Sequence, residues 1–176
     1  MPPMTKEQLA KRIAEVSLLR GEFTLRSGRK SNYYLDKYLF ETQPDVLIEL
    51  GKLFAQHVTP DVQRIAGAEL GAVSLAAATA MSCGKPFVLI RNQKKDYGTS
   101  KLIEGKLEPG ERVLIVEDVL TTGGQVIEAA KSIEAVDGKV VKIVAVIDRL
   151  EGARQNIEAA GYNFESLFTT KDLGVV

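Results

Sequence analysis

Short blocks of apolar residues recur along this chain. They are separated by segments that are polar or contain glycine and proline. Four blocks are runs of β-branched and other apolar residues, the pattern of strands buried on both faces of a parallel sheet. They begin at Arg64, Phe87, Arg112 and Lys139, and a shorter block covers residues 164–168. The pattern therefore predicts five strands.

Segments between these blocks carry apolar residues at the helical spacing of three and four positions. The first helix is predicted to begin at Thr5, with Gln8 completing a capping box, and to end near Gly21. Three more helices are predicted at residues 44–59, 72–81 and 125–133. Strands alternating with helices predict an α/β fold, in which helices flank a parallel central sheet.

A hairpin is predicted within the N-terminal segment 1–40, as a small hood on a single domain that spans 1–176. Residues 22–36 alternate apolar and polar positions around a turn at 27–28. Three basic residues and two tyrosines cluster there: Arg26, Arg29, Lys30, Tyr33 and Tyr34. Such a cluster suits a planar ring and a phosphate, although a solvated basic turn with two packing tyrosines explains the same residues.

The most informative stretch follows the third strand block, where Glu117 and Asp118 are predicted to end the strand. A short loop then leads into the helix at 125–133. Its residues are Val119, Leu120, Thr121, Thr122, Gly123, Gly124 and Gln125. Loop N–H groups, threonine hydroxyls and a helix N-terminus together favour a bound phosphate. An ordinary turn with capping residues is the alternative.

Common nucleotide-binding motifs are missing from the sequence. No G-x-x-x-x-G-K-[ST] motif occurs, and no G-x-G-x-x-G opens a helix. A Walker-type NTPase and a dinucleotide-binding fold are therefore disfavoured.

Polar groups are predicted at the carboxyl ends of four strands. They are the 67–71 turn, Arg91, residues 117–124 and the pair 148–149. Ligands of open parallel sheets bind outside this edge, so these groups are predicted to form one site.

A long polar segment, 92–105, separates two core strands. Lys94, Lys95 and Lys101, with Arg91 at its start, would make it a mobile cationic lid over an anionic ligand. A merely solvated loop is the alternative.

Composition limits the binding partners, cellular locations and types of site that the sequence allows. Lys plus Arg and Asp plus Glu both number 23, so overall charge does not favour nucleic acid as a partner. No apolar run approaches the roughly 20 residues of a membrane span, and the first residues do not resemble a signal peptide, so a cytoplasmic location is expected. One cysteine, Cys83, and one histidine, His57, disfavour a disulfide, a zinc site or a Ser-His-Asp triad.

The stretch E-D-x-x-T-T-G-G at 117–124 resembles the phosphoribosyl-pyrophosphate (PRPP) signature of the type I phosphoribosyltransferases. Three further motifs narrow the resemblance. They are F-T-L-x-S-G-R-x-S at 23–31, R-x-x-x-K-D-Y-G at 91–98 and D-R-x-E-G at 148–152. Together they resemble the orotate phosphoribosyltransferase family over nearly the whole chain.

The resemblance implies transfer of 5-phosphoribose from PRPP to orotate, with Mg²⁺ as cofactor held mainly through PRPP rather than by direct protein ligands. It also implies a homodimer whose lid acts across subunits, with no nucleic acid or membrane partner. The implied PRPP-binding residues are Arg26, Arg91, Asn92, Lys95, Tyr97, Glu117, Asp118 and the loop Val119, Leu120, Thr121, Thr122, Gly123, Gly124 and Gln125. The implied orotate-binding residues are Tyr33, Tyr34, Thr121 and Arg149. The implied catalytic residues are Lys95, Tyr97, Glu117 and Asp118.

Three positions depart from the pattern of many family members. Asn92 stands where lysine is common, Tyr97 where histidine is common, and the 68–70 turn lacks the lysine of some bacterial members. Two other functions stay open: a phosphoribosyltransferase for another base, such as a purine, and a PRPP-sensing regulator without turnover.

Overall fold

The computed structural model describes residues 3–24, 28, 30–92 and 102–175. Over these residues the helices are α1 (Lys6–Ser17), α2 (Lys37–Glu41), α3 (Pro44–Ala55), α4 (Ala72–Cys83), α5 (Gly124–Glu134) and α6 (Ala153–Ala159). The strands are β1 (Leu18–Thr24), β2 (Lys30–Leu35), β3 (Arg64–Ala68), β4 (Phe87–Ile90), β5 (Ile103–Glu104), β6 (Arg112–Leu120), β7 (Lys139–Asp148) and β8 (Phe164–Thr169).

Strands β3 to β8 form the central sheet, in the order β5-β4-β3-β6-β7-β8. All neighbours are parallel except β5, which runs antiparallel to β4. Strands β1 and β2 pair separately as the antiparallel hairpin. The predicted fold class, a parallel sheet flanked by helices with a small N-terminal hairpin, is confirmed.

The sheet is covered on both faces, since alternate residues of a strand point to opposite sides. Leu114 and Val116 pack with residues of α1, α2, α3 and α4 in one hydrophobic cluster. Val113 and Ile115 pack with residues of α5 and α6 in a second cluster. Residues 113–116 of β6 are therefore all apolar because both faces of the strand are buried there.

Two predicted element boundaries are wrong. The capping box at Thr5 is present, but α1 ends at Ser17 rather than near Gly21. The chain leaves the helix because Leu18 and Leu19 pair with β2. Strand β6 does not end at Glu117 and Asp118; it continues to Leu120 because its last residues pair with β7.

The sequence did not predict the short elements α2, α6 and β5. Among the described helices, none is long and apolar enough to cross a bilayer.

Candidate active site

The carboxyl edge of the sheet brings together the strand ends singled out by the sequence. Glu69, after β3, donates its backbone N–H to Ile90 O at 2.8 Å, and Arg149, after β7, donates to Leu120 O at 3.0 Å. Gly67 pairs with both Leu89 and Val116 across the centre. The predicted convergence of these segments is therefore observed.

The loop between β6 and α5 presents an open helix N-terminus. Gly123 is the N-cap residue, with a φ of 80° that favours glycine, and no side chain caps the helix. A Cβ at Gly123 would lie 3.0 Å from Ile157 Cγ1, so a larger residue would also crowd α6. The first-turn N–H groups of α5 are thus available to an anion, and the helix dipole favours one.

Neighbours of this loop fix its shape and its surface. Thr121, Thr122, Gly124 and Gln125 are exposed. Asn156 of α6 donates from Nδ2 to Thr122 O at 2.9 Å. Asn156 was not predicted as a site residue, because α6 itself was not predicted.

The two acidic residues of β6 are buried, with Glu117 8% and Asp118 2% exposed. Glu117 Oε1 accepts the backbone N–H of Asp118 at 2.9 Å. Asp118 Oδ1 accepts the N–H of Val119, and Oδ2 accepts from Lys37 Nζ at 2.5 Å. Each carboxylate is therefore held by a donor of the protein itself. Lys37, at the start of α2, is a site residue that the sequence did not reveal.

Gly71, which precedes α4, lies directly against Asp118. A Cβ at Gly71 would come within 1.6 Å of Asp118 Oδ2 and 2.9 Å of Lys37 Nζ. Only glycine leaves room for this ion pair at the helix N-terminus.

A third carboxyl, Glu41 of α2, completes the buried cluster. Glu41 is 3% exposed, and its Oε1 has no hydrogen-bond partner among the described residues. Burial, followed by the charge of Asp118, raises the pKa of Glu41 to about 8, and the same two causes raise the pKa of Glu117 to about 8. Burial lowers the pKa of Lys37, but the charge and hydrogen bond of Asp118 outweigh it and raise that pKa overall.

Glu69 organises the residues at the start of the predicted lid. Its Oε1 accepts the backbone N–H of Asn92 at 3.0 Å, and its carbonyl accepts from Asn92 Nδ2 at 3.1 Å. Arg91 Nη1 lies 3.8 Å from Glu69 Oε2 and 3.8 Å from Glu104 Oε1. Asn92, which replaces the common lysine, is thus bound to the 67–71 turn.

The predicted orotate-binding residues differ in accessibility. Arg149 Nε lies 3.0 Å from Glu151 Oε1, and its side chain is 19% exposed. Tyr34 is exposed and packs against Phe23, with 5.7 Å between ring centroids. Tyr33 instead packs against the core, because adjacent residues of β2 point to opposite faces.

Known proteins resemble this chain over most of its length. Residues 40–160 match the family model of the phosphoribosyl transferase domain. The orotate phosphoribosyltransferase of Methanocaldococcus jannaschii is 43% identical over 169 residues, which cover 96% of each chain. That of Pyrococcus abyssi is 44% identical over 172 residues, covering 96% of this chain and 94% of the relative.

The chain belongs to the orotate phosphoribosyltransferase family. Among solved structures, the orotate phosphoribosyltransferase of Mycobacterium tuberculosis in complex with PRPP has a TM-score of 0.83 at 33% identity, covering 97% of this chain and 99% of that one. Adenine phosphoribosyltransferase from Leishmania donovani has a TM-score of 0.73 at 21% identity, covering 97% of this chain and 82% of that one, and shares the fold. The family predicted from the motifs is therefore confirmed.

Several residues that the sequence patterns or the family resemblance singled out lie outside the described ranges. They are Arg26, Arg29, Lys94, Lys95, Tyr97 and Lys101. Their predicted roles in PRPP binding and catalysis stay predictions.

Proposed function

We propose that the chain transfers the 5-phosphoribosyl group of PRPP to N1 of orotate, giving orotidine 5'-phosphate and pyrophosphate, a step in pyrimidine nucleotide biosynthesis. The observation that carries the proposal is the open N-terminus of α5 beside a buried acidic pair, at the ligand-binding edge of a parallel sheet. Membership of the orotate phosphoribosyltransferase family supports the choice of base.

The 5-phosphate would bind the loop at 121–125. Backbone N–H groups and the dipole of α5 supply partial positive charge there, and the hydroxyls of Thr121 and Thr122 are exposed to donate hydrogen bonds. Glu117 and Asp118 would accept hydrogen bonds from the ribose hydroxyls. Their negative charge would also stabilise the positive charge that develops on the sugar as the C1–O bond to pyrophosphate breaks.

Bond cleavage of this kind passes through an oxocarbenium-like state and needs no protein nucleophile. Positioning and electrostatics would therefore supply most of the rate enhancement. Arg91 and the sequence-predicted Lys95 and Tyr97 would stabilise the departing pyrophosphate, and closure of segment 92–105 would exclude water.

Mg²⁺ would enter with PRPP and be held mainly through diphosphate oxygens. Within the described part of the chain, no group of three or more Asp, Glu, His or Cys side chains is arranged to hold a metal ion. When bound, the ion supplies charge neutralisation on the leaving diphosphate.

Arg149 would pair with the carboxylate of orotate. Arg149 follows β7, and its backbone N–H donates a 3.0 Å hydrogen bond to Leu120 O, the residue that precedes the loop at 121–125. A planar guanidinium matches a carboxylate with two parallel hydrogen bonds. Tyr34, exposed on the hairpin, is the better placed of the two tyrosines to border the pyrimidine ring.

We further propose a homodimer, in which the lid of one subunit reaches the site of the other, and a cytoplasmic location. Exposed apolar side chains on α3, α4 and β4, namely Ile48, Met81 and Phe87, offer surface for a second copy. The free thiol of Cys83 suits a reducing compartment.

The decisive test follows the loss of orotate absorbance in the presence of PRPP and Mg²⁺. We expect orotate to be consumed only when PRPP is present, and guanine or hypoxanthine not to replace it. Consumption of a purine instead would identify a different base. PRPP binding without consumption of any base would indicate a PRPP-sensing regulator.

A further inference from the structure

Glu41 has no role in the reaction as proposed, yet it lies inside the acidic cluster. It ends the five-residue helix α2 and is 3% exposed. Its Oε1 lacks a hydrogen-bond partner among the described residues. A buried carboxylate oxygen without a donor is unfavourable, so such a group gains a proton unless something else compensates its charge.

The charges of the cluster do not balance. Among the described residues, three buried carboxyls, Glu41, Glu117 and Asp118, face one ammonium group, that of Lys37. Lys37 Nζ lies 2.5 Å from Asp118 Oδ2, so its positive charge compensates the carboxylate of Asp118. At least one of the other two carboxyls has to be neutral for the cluster to stay buried.

Burial and the charge of Asp118 raise the pKa of both Glu41 and Glu117 to about 8, and hydrogen bonding decides which of the two holds its proton more firmly. Glu117 accepts the backbone N–H of Asp118 at 2.9 Å, which stabilises its anionic form. Asp118 accepts from Val119 and from Lys37. Glu41 Oε1 receives no comparable donor among the described residues. Glu41 follows Lys37 by one helical turn on α2, so it lies on the same helix face as the side chain that reaches Asp118.

We propose that Glu41 is a positioning residue, which keeps a proton at neutral pH and donates it to Asp118, holding Asp118 as an anion for the ribose of PRPP. A carboxylate offers about four acceptor positions. Val119, Lys37 and Glu41 would occupy three of them at Asp118, and the last stays available to a ribose hydroxyl. This inference rests on the proposed function, because the ribose contact of Asp118 is assigned there.

The groups around Glu41 make this proton sensitive to alkaline pH. Lys37 acts on Glu41 from the same helix, and Glu117 and Asp118 act from β6. Helices α1 and α3 also pack against α2, and their buried faces are largely apolar. Burial first, and then Asp118, raises the pKa of Glu41 to about 8. Above that pH, two adjacent anions would repel each other and displace Asp118.

The proton itself can be measured without any substrate. Infrared spectra of the unliganded protein at pH 6.5 should contain the C=O band of a buried protonated carboxyl. We expect this band in the wild type and in Glu15→Gln, which changes an exposed glutamate of α1 as the matched control. We expect it to weaken in Glu41→Gln, where Glu117 can still hold a buried proton. A band that is unchanged in Glu41→Gln, or one that disappears only in Glu117→Gln, would overturn the proposal.

Steady-state kinetics test whether the proton on Glu41 affects the use of PRPP through Asp118. Between pH 7 and pH 9, kcat/KM for PRPP should fall about tenfold in the wild type as Glu41 ionises, and less steeply in Glu41→Gln, where Glu117 still titrates. Glutamine mimics the neutral acid, so Glu41→Gln at pH 7 should stay within about threefold of wild type, whereas Glu41→Ala should lose more than about tenfold. Equal losses in both variants, or the same alkaline decline in Glu41→Gln as in the wild type, would contradict a protonated Glu41.

The proposed reaction and the proposed role of Glu41 can be disproved independently of each other. A wild-type protein that does not consume orotate would overturn the proposed reaction, while the infrared comparison would still judge the proton on Glu41. Identical infrared spectra with normal orotate consumption would overturn only the role of Glu41.

Discussion

Gly71 shows how one missing side chain sets the geometry of the site. The Asp118–Lys37 ion pair occupies the space that a Cβ at Gly71 would fill. Asp118 is also the residue through which Lys37 and Glu41 would act on the ribose. At the scale of single residues, we therefore expect the contacts around Asp118 to decide the activity.

Gly71→Ala should displace Asp118, because the new Cβ would lie 1.6 Å from Oδ2. A displacement of this size costs up to about 100-fold in rate. We expect kcat/KM for PRPP to fall by about that factor while the circular dichroism spectrum stays unchanged. Gly110→Ala, where a Cβ meets nothing within 4 Å, is the control. Its positive φ strains alanine by roughly 1 kcal/mol, so it should lose some stability but keep its kinetics. Normal PRPP kinetics in Gly71→Ala would contradict the role of Asp118.

Arg149→Ala should weaken orotate binding more than PRPP binding. A lost charge-assisted hydrogen-bond pair is worth about 1.5–3 kcal/mol, so KM for orotate should rise roughly 10- to 100-fold. Arg149→Lys should recover only part of this, because an ammonium group does not match a carboxylate with two parallel bonds. Steady-state kinetics with each substrate varied in turn measures both effects. Arg154→Ala, which removes a partly exposed arginine of α6, should leave KM for orotate unchanged.

Secondary-structure elements were predictable where local pattern and tertiary contacts agree. The β3, β6 and β7 blocks are largely apolar, and both of their faces are buried. In β4 one face is buried, while Phe87 on the other is exposed. Residues 18–21 continued the helical pattern of α1, yet pairing with β2 made them a strand. Lys37 and Glu41 could not be assigned to the site, since α2 is too short to have a clear period and Lys37 is 81 residues away from Asp118 in sequence. The sequence motifs were enough to predict the loop at 119–125 and the acidic pair. The side chains that surround them, such as Lys37, are brought together only by the fold and could not be predicted from the sequence.

An ion pair joins β3 to the connection before β6. Arg64 of β3 binds Glu111 through both carboxylate oxygens, at 3.0 and 2.5 Å, with little exposure of either side chain. Glu111→Gln should reduce the free energy of unfolding by about 2 kcal/mol at pH 7, because Arg64 loses its charged partner. Urea unfolding would measure the loss. Glu108→Gln, a more exposed neighbour paired with Lys106, should change stability by less than about 0.5 kcal/mol.

The pH dependence of this pair has a defined sign. The hydrogen bond from Arg64 holds the pKa of Glu111 below its ordinary value of 4.5. Its contribution to stability is therefore complete above pH 4.5 and is lost as pH falls through the lower, folded-state pKa. The difference in stability between wild type and Glu111→Gln should consequently shrink below pH 4.5. A difference that stays constant down to pH 3 would contradict this assignment.

Assembly of the whole molecule can be tested with two inactive variants. Asp118→Asn impairs the ribose site that lies on the sheet, and Lys95→Ala impairs the predicted lid. We expect each homodimer to lose activity by orders of magnitude and to keep its fold. If the lid acts across subunits, a mixed dimer contains one site with both defects and one with neither. Random mixing makes half of all dimers mixed, so about a quarter of the wild-type sites should return. If the lid serves its own subunit, every site in the mixed dimer keeps one defect and no activity returns. To distinguish these arrangements, the two variants are unfolded and refolded together, and their orotate consumption is compared with that of each variant refolded alone. Sedimentation velocity of the wild type shows separately whether the protein is a dimer.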